Sequence, residues 1–506
     1  MQVFQDGLIS HSATSQQKLA CCATLLFILL ILSVEGAYSQ PESDWRPPVQ
    51  LSAGILNDSG LPASAREPFL AADSWGYVHA VWISDTDVGE FDSAESLFYA
   101  RWNDGEWSEP TNIMYSLTGG LWQPRIAADE FGWLHLAMIR SDELNYSRAP
   151  LNEANMALSW TAPLVPTNLK ASDSALDVDS TGTVHIAFCN NKGEGYLAYI
   201  RLEDGNRWSS PNELTDTSGC RVRLSIDDRD RIHLVYSEQP ASGPGTGVFY
   251  LRSNDAGSRW TEILEIDSGE AGYDDQYGPS WPNILAVGED QVHIVWDGRP
   301  AGQRWHQWSN NGGTSWSKPE VINKLHRGLT EPNGLAVDSS GIVHLLTLGW
   351  LDTNEFPNGP FHTYWKDGKW APLSMVTERS DWDAEGPSLT VVNGNQLLAT
   401  WRHQEGSTNE AWASSLSVDA PLISPETTTP QFVEEQTSLD NSQPASAGQK
   451  TDQLSVTPKP RAFAEDRVDR SNPIMDPVLI AAIAAGLFLV LALLVARRLT
   501  RRKYLK

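Results

Sequence analysis

The chain has 506 residues, 41% of them apolar and 20% charged, and its 37 Lys+Arg against 64 Asp+Glu give a formal net charge of −27. Length and apolar share together support a large buried core. The acidity disfavours nucleic acid as a partner, because that binding depends on cations that neutralise phosphates, and four cysteines are too few for a disulfide framework.

The first predicted element is an apolar run from Leu19 to Leu32, preceded by Lys18. It is short for a membrane span. Small residues at Ala37 and Ser39 suit a signal peptide over residues 1–39, cleaved before Gln40. An uncleaved anchor is the alternative.

From Glu67 to Trp401 one motif recurs seven times: Pro-x-apolar-Ala-x-Asp-x-x-Gly-x-Val-His-apolar-x-Trp. Six copies carry the histidine, at His79, His135, His185, His233, His293 and His344, and the seventh has Leu397. Short alternating apolar runs at a period of about fifty residues predict a β-propeller. Each copy reads as four strands. The run after Pro is the first, Asp-x-x-Gly is a turn, and the Val-His run is the second. A third follows, as in Leu97 to Arg101, and a fourth opens on Trp107, Trp160, Trp208, Trp260, Trp316 or Trp370. The seventh copy has no Trp-led fourth strand. Residues Trp45 to Leu51 are expected to supply it and close the ring, leaving no open edge. Repetition in one slot assigns the histidines to packing, each imidazole bonding to a neighbouring blade, and the recurrent tryptophans to the core.

Residues 421–472 are rich in Ser, Thr, Pro, Gln and acid, and predict a disordered stalk. Val478 to Ala496 is apolar throughout and long enough to cross a bilayer. Basic residues follow from Arg497 to Lys506, which places that end in the cytoplasm. A transmembrane helix over 473–496 and a basic tail over 497–506 are therefore expected.

Two turns carry a family resemblance. Ser253, Asp255, Gly257 and Trp260 fit the Ser-x-Asp-x-Gly-x-x-Trp pattern of the Asp box, and Ser309, Asn311, Gly313 and Trp316 fit it with Asn for Asp. In phase with a seven-fold repeat, these boxes resemble those of the sialidase-like, or BNR-repeat, propellers. In that superfamily they are structural turns on the side away from the pocket. The opposite face, with the long loops between second and third strands and the crossings between blades, is where a ligand is expected.

The resemblance also implies site residues. Sialidases grip a substrate carboxylate with three arginines, since a fixed anion calls for bidentate cations. They use a Tyr activated by Glu as nucleophile and an Asp as acid/base. Arg125 opens a first strand as the Arg-Ile-Pro motif of sialidases does, with Ala127 in place of the Pro. Arg223 holds the matching slot in the fourth copy, and Arg299 and Arg402 follow second strands. These four are the candidate anion site, with surface or inter-blade ion pairing as the alternative. Glu238, Tyr277 and Asp297 are the candidate catalytic set. Non-repeated aromatics in loops, among them Trp122, Trp281 and Trp382, are candidates for stacking on a sugar. Asp85, Asp87 and Asp92 have oxygens spaced for calcium, without the full EF-hand pattern. Cys189 and Cys220 fall on adjacent blades and are a candidate disulfide.

The expected architecture is all-β: a propeller over 40–420 of seven four-stranded antiparallel blades, with six the alternative, on a stalk and a single C-terminal span. The expected work is recognition of a surface or environmental ligand, glycan or protein, outside the cell. An exo-glycosidase of sialidase type and a structural protein-interaction platform are the rival readings. The fold requires no cofactor, and calcium is the one ion the acidic loop would take.

Overall fold

The computed structural model describes residues 44–425 apart from 88–92, 191–194, 204–206, 217–219, 239–245, 270–277, 299–302, 323–332, 351–357 and 378–383. The expected leader, most of the stalk, the C-terminal span and its tail lie outside the described residues. So do Arg299, Tyr277, Trp382 and Asp92. Among the described residues no helix is long and apolar enough to cross a membrane.

Seven antiparallel sheets succeed one another along the chain. Their first strands are Ser64–Ala72, Leu121–Ala128, Asp173–Val178, Cys220–Ile226, Ser280–Val287, Gly334–Val337 and Ala384–Val392, opening blades 1 to 7 in that order. Each of these strands packs beside the first strand of the next blade, and that of blade 7 packs beside that of blade 1. The molecule is a seven-bladed β-propeller, and the six-bladed alternative is excluded. The ring closes as expected: Val49–Gln50 pairs with Thr408–Ser417, Val49 opposite Ala413 and Gln50 opposite Trp412. Four strands per blade needs two corrections: in blades 1, 3 and 6 the fourth position is split into two short strands that both pair with the third, and blade 2 is short of one. Blade 2 has three, Leu121–Ala128, Trp133–Arg140 and Glu143–Pro150, and its outer edge meets the chain only at isolated bridges such as Tyr146 to Leu164. Pro163 and Pro166 flank that bridge and have no N–H for a ladder.

The repeat motif encodes one hydrogen-bonded unit. Asp73 accepts the backbone N–H groups of Trp75 and Tyr77 with one carboxylate oxygen, which closes the turn between the first two strands. Its other oxygen lies 3.2 Å from Nε2 of His79. The His79 Nδ1 lies 2.8 Å from the hydroxyl of Tyr99 on the third strand. The unit recurs as Asp129–His135–Tyr146, Asp179–His185–Tyr199 and Asp227–His233–Tyr250. Blade 6 uses Asp338, His344 and His362. In blade 5 Val287 stands where the Asp would be, and Nε2 of His293 is buried with no hydrogen-bond partner among the described residues.

These contacts correct one expectation. Each imidazole bonds within its own blade, to the Asp six residues earlier where there is one and to a third-strand Tyr hydroxyl or, in blades 5 and 6, a third-strand imidazole. The link to the next blade runs through the third-strand ring instead. Tyr146, Tyr199 and Tyr250 meet Trp208, Trp260 and Trp316 of the following blade edge-on, with centroids 4.9, 5.2 and 4.8 Å apart. Tyr99 meets Trp160 at 6.5 Å, and His306 meets Trp370 at 5.0 Å. Trp45, in the N-terminal segment that completes blade 7, packs on His362 of blade 6 at 5.4 Å. The turns read as Asp boxes hold these tryptophans. The Oγ of Ser253 accepts the N–H of Gly257 at 2.8 Å, and that of Ser309 accepts the N–H of Gly313 at 2.9 Å.

Two outcomes follow. Trp45→Ala should cost about 3–5 kcal/mol in urea unfolding, the range for emptying a buried aromatic site; a loss below about 1 kcal/mol would contradict closure by the N-terminal segment. Stability should also fall with acid. Burial lowers the pKa of His135, His233 and His344, and takes His293 and His362 down to about 3. The unfolded chain therefore gains protons near pH 6.5 that the folded chain refuses. Asp177, which burial lifts to about 6, acts in the opposite sense and is outnumbered. The urea midpoint should be lower at pH 5 than at pH 7.5.

Candidate functional site

The first strands begin on the loop-rich face, and there they wall a cavity of about 440 Å³ on the propeller axis. Four of them bulge in the same place. The register shifts between Arg66 and Phe69, Trp122 and Arg125, Ser280 and Asn283, and Glu385 and Ser388. In each case the residue just before a proline takes positive φ: Glu67 at 53°, Gln123 at 53°, Trp281 at 50° and Gly386 at 59°. A residue before proline ordinarily prefers extended backbone, and a non-glycine residue at such a φ costs roughly 1–3 kcal/mol. Strain at matched positions, all of them lining one cavity, is a mark of a site and not of a scaffold.

The walls carry five arginines in a chain that is acidic overall: Arg66, Arg125, Arg221, Arg223 and Arg402. Asp173, 0% exposed, is the counterion behind two of them. It lies 3.2 Å from Nη1 of Arg223 and 3.9 Å from Nη2 of Arg125. It also accepts the N–H of Val222 at 3.0 Å, which ties blade 3 to blade 4. Burial, and then the charge of Arg223, push Arg125 down to about 9, so it stays protonated at neutral pH. Gln123 holds Arg125 from the side. Arg221 lies over the ring of Trp281 at 4.2 Å and makes no ion pair among the described residues. Arg66 is engaged by Asp85 and Glu95. Its burial would lower its pKa, and those two carboxylates more than offset that. Arg402 is paired with Glu385.

Glu67 is half-buried at the cavity wall and accepts the N–H of Gln123 at 2.5 Å. Burial raises its pKa, against the pull of that hydrogen bond and of Arg125. Asn283, Asn333 and Ser388 add neutral polar groups. Phe69, Leu224, Leu335 and Leu389 add apolar surface. Trp122 stands 50% exposed with the Arg66 guanidinium 5.1 Å from its ring. The arrangement can hold an anion beside a ring of mixed polarity.

Arg125, Arg223, Arg402, Trp122 and Trp281 are thus brought to one cavity. Asp297 and Glu238 are not on its wall. Asp297 is 4% exposed and paired at 2.8 Å with Arg304, which also donates to Asn333 and Thr347. Arg304 thereby clamps blade 5 to blade 6, and the carboxylate it pairs with is buried off the cavity wall. Glu238 accepts the hydroxyl of Thr246 at 3.1 Å, beyond the cavity. The carboxylate of Asp85 is taken by Arg66, and no group of three or more His, Cys, Asp or Glu among the described residues is placed to hold a metal ion. Asp87 takes positive φ at 36°. Cys189 is buried and disulfide-bonded, and the side chain of Cys220 lies outside the described residues. Sequence reasoning missed Arg66, Glu67, Arg221 and Glu385. Three of them, Arg66, Glu67 and Glu385, occupy the two positions ahead of the recurrent proline, where the register shift turns the strand inward.

No protein-family model matches the chain, and no curated protein matches it. Solved structures similar to it include a PL25 ulvan lyase bound to a glucuronate–sulfated rhamnose segment, at 12% identity and TM-score 0.49, over 71% of this chain and 95% of that one. The BP39L lectin of Burkholderia pseudomallei is similar at 14% identity and TM-score 0.49, over 71% and 98%. A Trypanosoma rangeli sialidase in complex with sialic acid is similar at 10% identity and TM-score 0.41, over 75% and 58%. Likenesses at this level leave the chemistry of the cavity to its own residues.

Asp173→Ala should leave two buried guanidinium groups without their shared counterion, a loss of about 3–5 kcal/mol. Sulfate should restore part of it in thermal melts. Asp85→Ala, at the exposed end of its pair, should cost about 1 kcal/mol or less.

Proposed function

We propose that this chain is a cell-surface recognition protein whose axial cavity binds an acidic glycan. The observation that carries the reading is the crowding of cations: Arg125 and Arg223 share one buried carboxylate, and Arg221 beside them has no anion at all among the described residues. Like charges held together at a cavity wall are relieved by an anionic ligand, and charge-assisted hydrogen bonds to it are the strong kind. Trp122 and Trp281 offer aromatic faces to a sugar ring. Asn283, Asn333 and Ser388 offer partners for hydroxyls.

An external location is supported by the leader-like N-terminus and by the disulfide at Cys189, since disulfides persist in oxidising compartments. The C-terminal apolar run would anchor the protein. Residues after Ser417 follow the face of the first-to-second turns, where the N–H of Ile423 donates to Asn393 and the hydroxyl of Ser339 to Pro421. The chain thus leaves the propeller from the face opposite the cavity.

One observation favours a second reading, a glycosidase of sialidase type: Glu67 projects beside the arginines with its carboxyl pKa raised. Binding is put first because the crowded cations call for an anionic ligand whether or not turnover follows.

The test is calorimetry on the full-length protein in detergent, with uronate-, sialate- and sulfate-bearing saccharides beside their neutral counterparts. Acidic saccharides should bind, and Arg221→Ala should weaken them by about tenfold or more, a loss of about 1.4 kcal/mol. Equal binding of neutral saccharides would sink the reading. Turnover of an acidic glycoside, abolished in Glu67→Gln, would select the enzyme.

A further inference from the structure

We infer that the cavity takes an internal stretch of an acidic polysaccharide, at least two sugar residues long, with one residue on Trp122 and another on Trp281. This deepens the reading just given and rests on it. A site for a single terminal sugar needs one aromatic platform, whereas this cavity has two. Trp122 is the second residue of the first strand of blade 2, and Trp281 holds the same place in that of blade 5. Three blades apart in a ring of seven, they stand on opposite sides of the axis.

Neither indole belongs to the structural set. The tryptophans that bind blade to blade sit at the head of a fourth strand, at the matching place in three-stranded blade 2 (Trp160), or in the N-terminal equivalent, Trp45. Trp122 and Trp281 instead flank the strained bulges that turn residues toward the cavity, and neither joins a buried core cluster. Each is backed by a guanidinium, that of Arg66 at 5.1 Å and that of Arg221 at 4.2 Å. The cation covers one ring face and fixes the plane. Trp122, 50% exposed, keeps its other face for a ligand, and Trp281 is partly exposed at the cavity wall.

The polar groups between the platforms differ by side. Blades 2 and 4 bring Arg125 and Arg223, which would meet a carboxylate or sulfate. Blades 5 and 6 bring the amides Asn283 and Asn333, which would meet hydroxyls. A chain lying from Trp122 to Trp281 would therefore present its acidic edge to one wall and its neutral edge to the other. The volume of about 440 Å³ exceeds what one anion fills and falls within the span of cavities that hold extended small ligands.

The experiment is a length series by calorimetry on the full-length protein in detergent: mono-, di-, tri- and tetragalacturonate, with a parallel series of sulfated galactose oligomers to separate the two anion sources. Affinity should rise by about tenfold or more from the monosaccharide to the trisaccharide in at least one series. Trp122→Ala and Trp281→Ala should each bring the trisaccharide close to the monosaccharide. Thermal melts of both variants should stay near that of the parent, because neither indole is core. A monosaccharide that binds as tightly as its oligomers, or a length series unchanged in both variants, would overturn the two-platform site while leaving anion recognition standing. Failure of every acidic saccharide of any length to bind the parent protein would overturn both.

Discussion

The joint between blades is the constraint on which the rest of the molecule depends. An Asp closes the turn between two strands and orients a His; the His holds a Tyr hydroxyl; the Tyr ring receives the Trp of the next blade. In blades 1 to 4 the links satisfy the buried imidazole and phenol while presenting an apolar ring face to the next blade. Edge-to-face aromatic pairs contribute roughly 0.5–1.5 kcal/mol beyond the area they bury, and six joints of this kind are spaced around the ring. The arrangement looks like a catalytic relay. Its burial and its repetition in blade after blade show that it is mortar.

Rigid joints make strain affordable at the axis. The bulged first strands place Glu67, Gln123 and Trp281 at positive φ ahead of proline, a conformation that a loose scaffold would release. Held from both sides by neighbouring first strands, these residues turn toward the cavity. The same packing brings Arg125 and Arg223 onto Asp173, from three successive blades. The cavity is therefore a product of ring geometry and not of any single motif.

The ring was legible in the sequence because repetition is robust. Seven copies of the motif, six of them with the His, a Trp at the fourth-strand slot of six copies and a stray Trp45 segment fixed the blade number and the closure. What repetition hides is the exception. Blade 2 loses its fourth strand to Pro163 and Pro166, and blade 5 loses its Asp to Val287. The cavity was legible only in part. Arg125 and Arg223 were marked by their slot in the repeat and Trp281 by breaking its pattern. Arg66, Glu67 and Glu385 escaped because nothing local says that a pre-proline residue will turn inward; that depends on a register shift against the neighbouring strand. Asp297 misled for the complementary reason. The resemblance put it in the catalytic set, but it is paired with a buried arginine from the third strand of the same blade.

The central claim is that the axial cavity is built to receive an anion. The most direct measurement is diffraction at the selenium edge from crystals of the protein soaked in selenate. An anomalous peak within hydrogen-bonding distance of Arg125, Arg221 and Arg223 is the result the account predicts. Selenate found only elsewhere on the surface, with the cavity holding water, would contradict it.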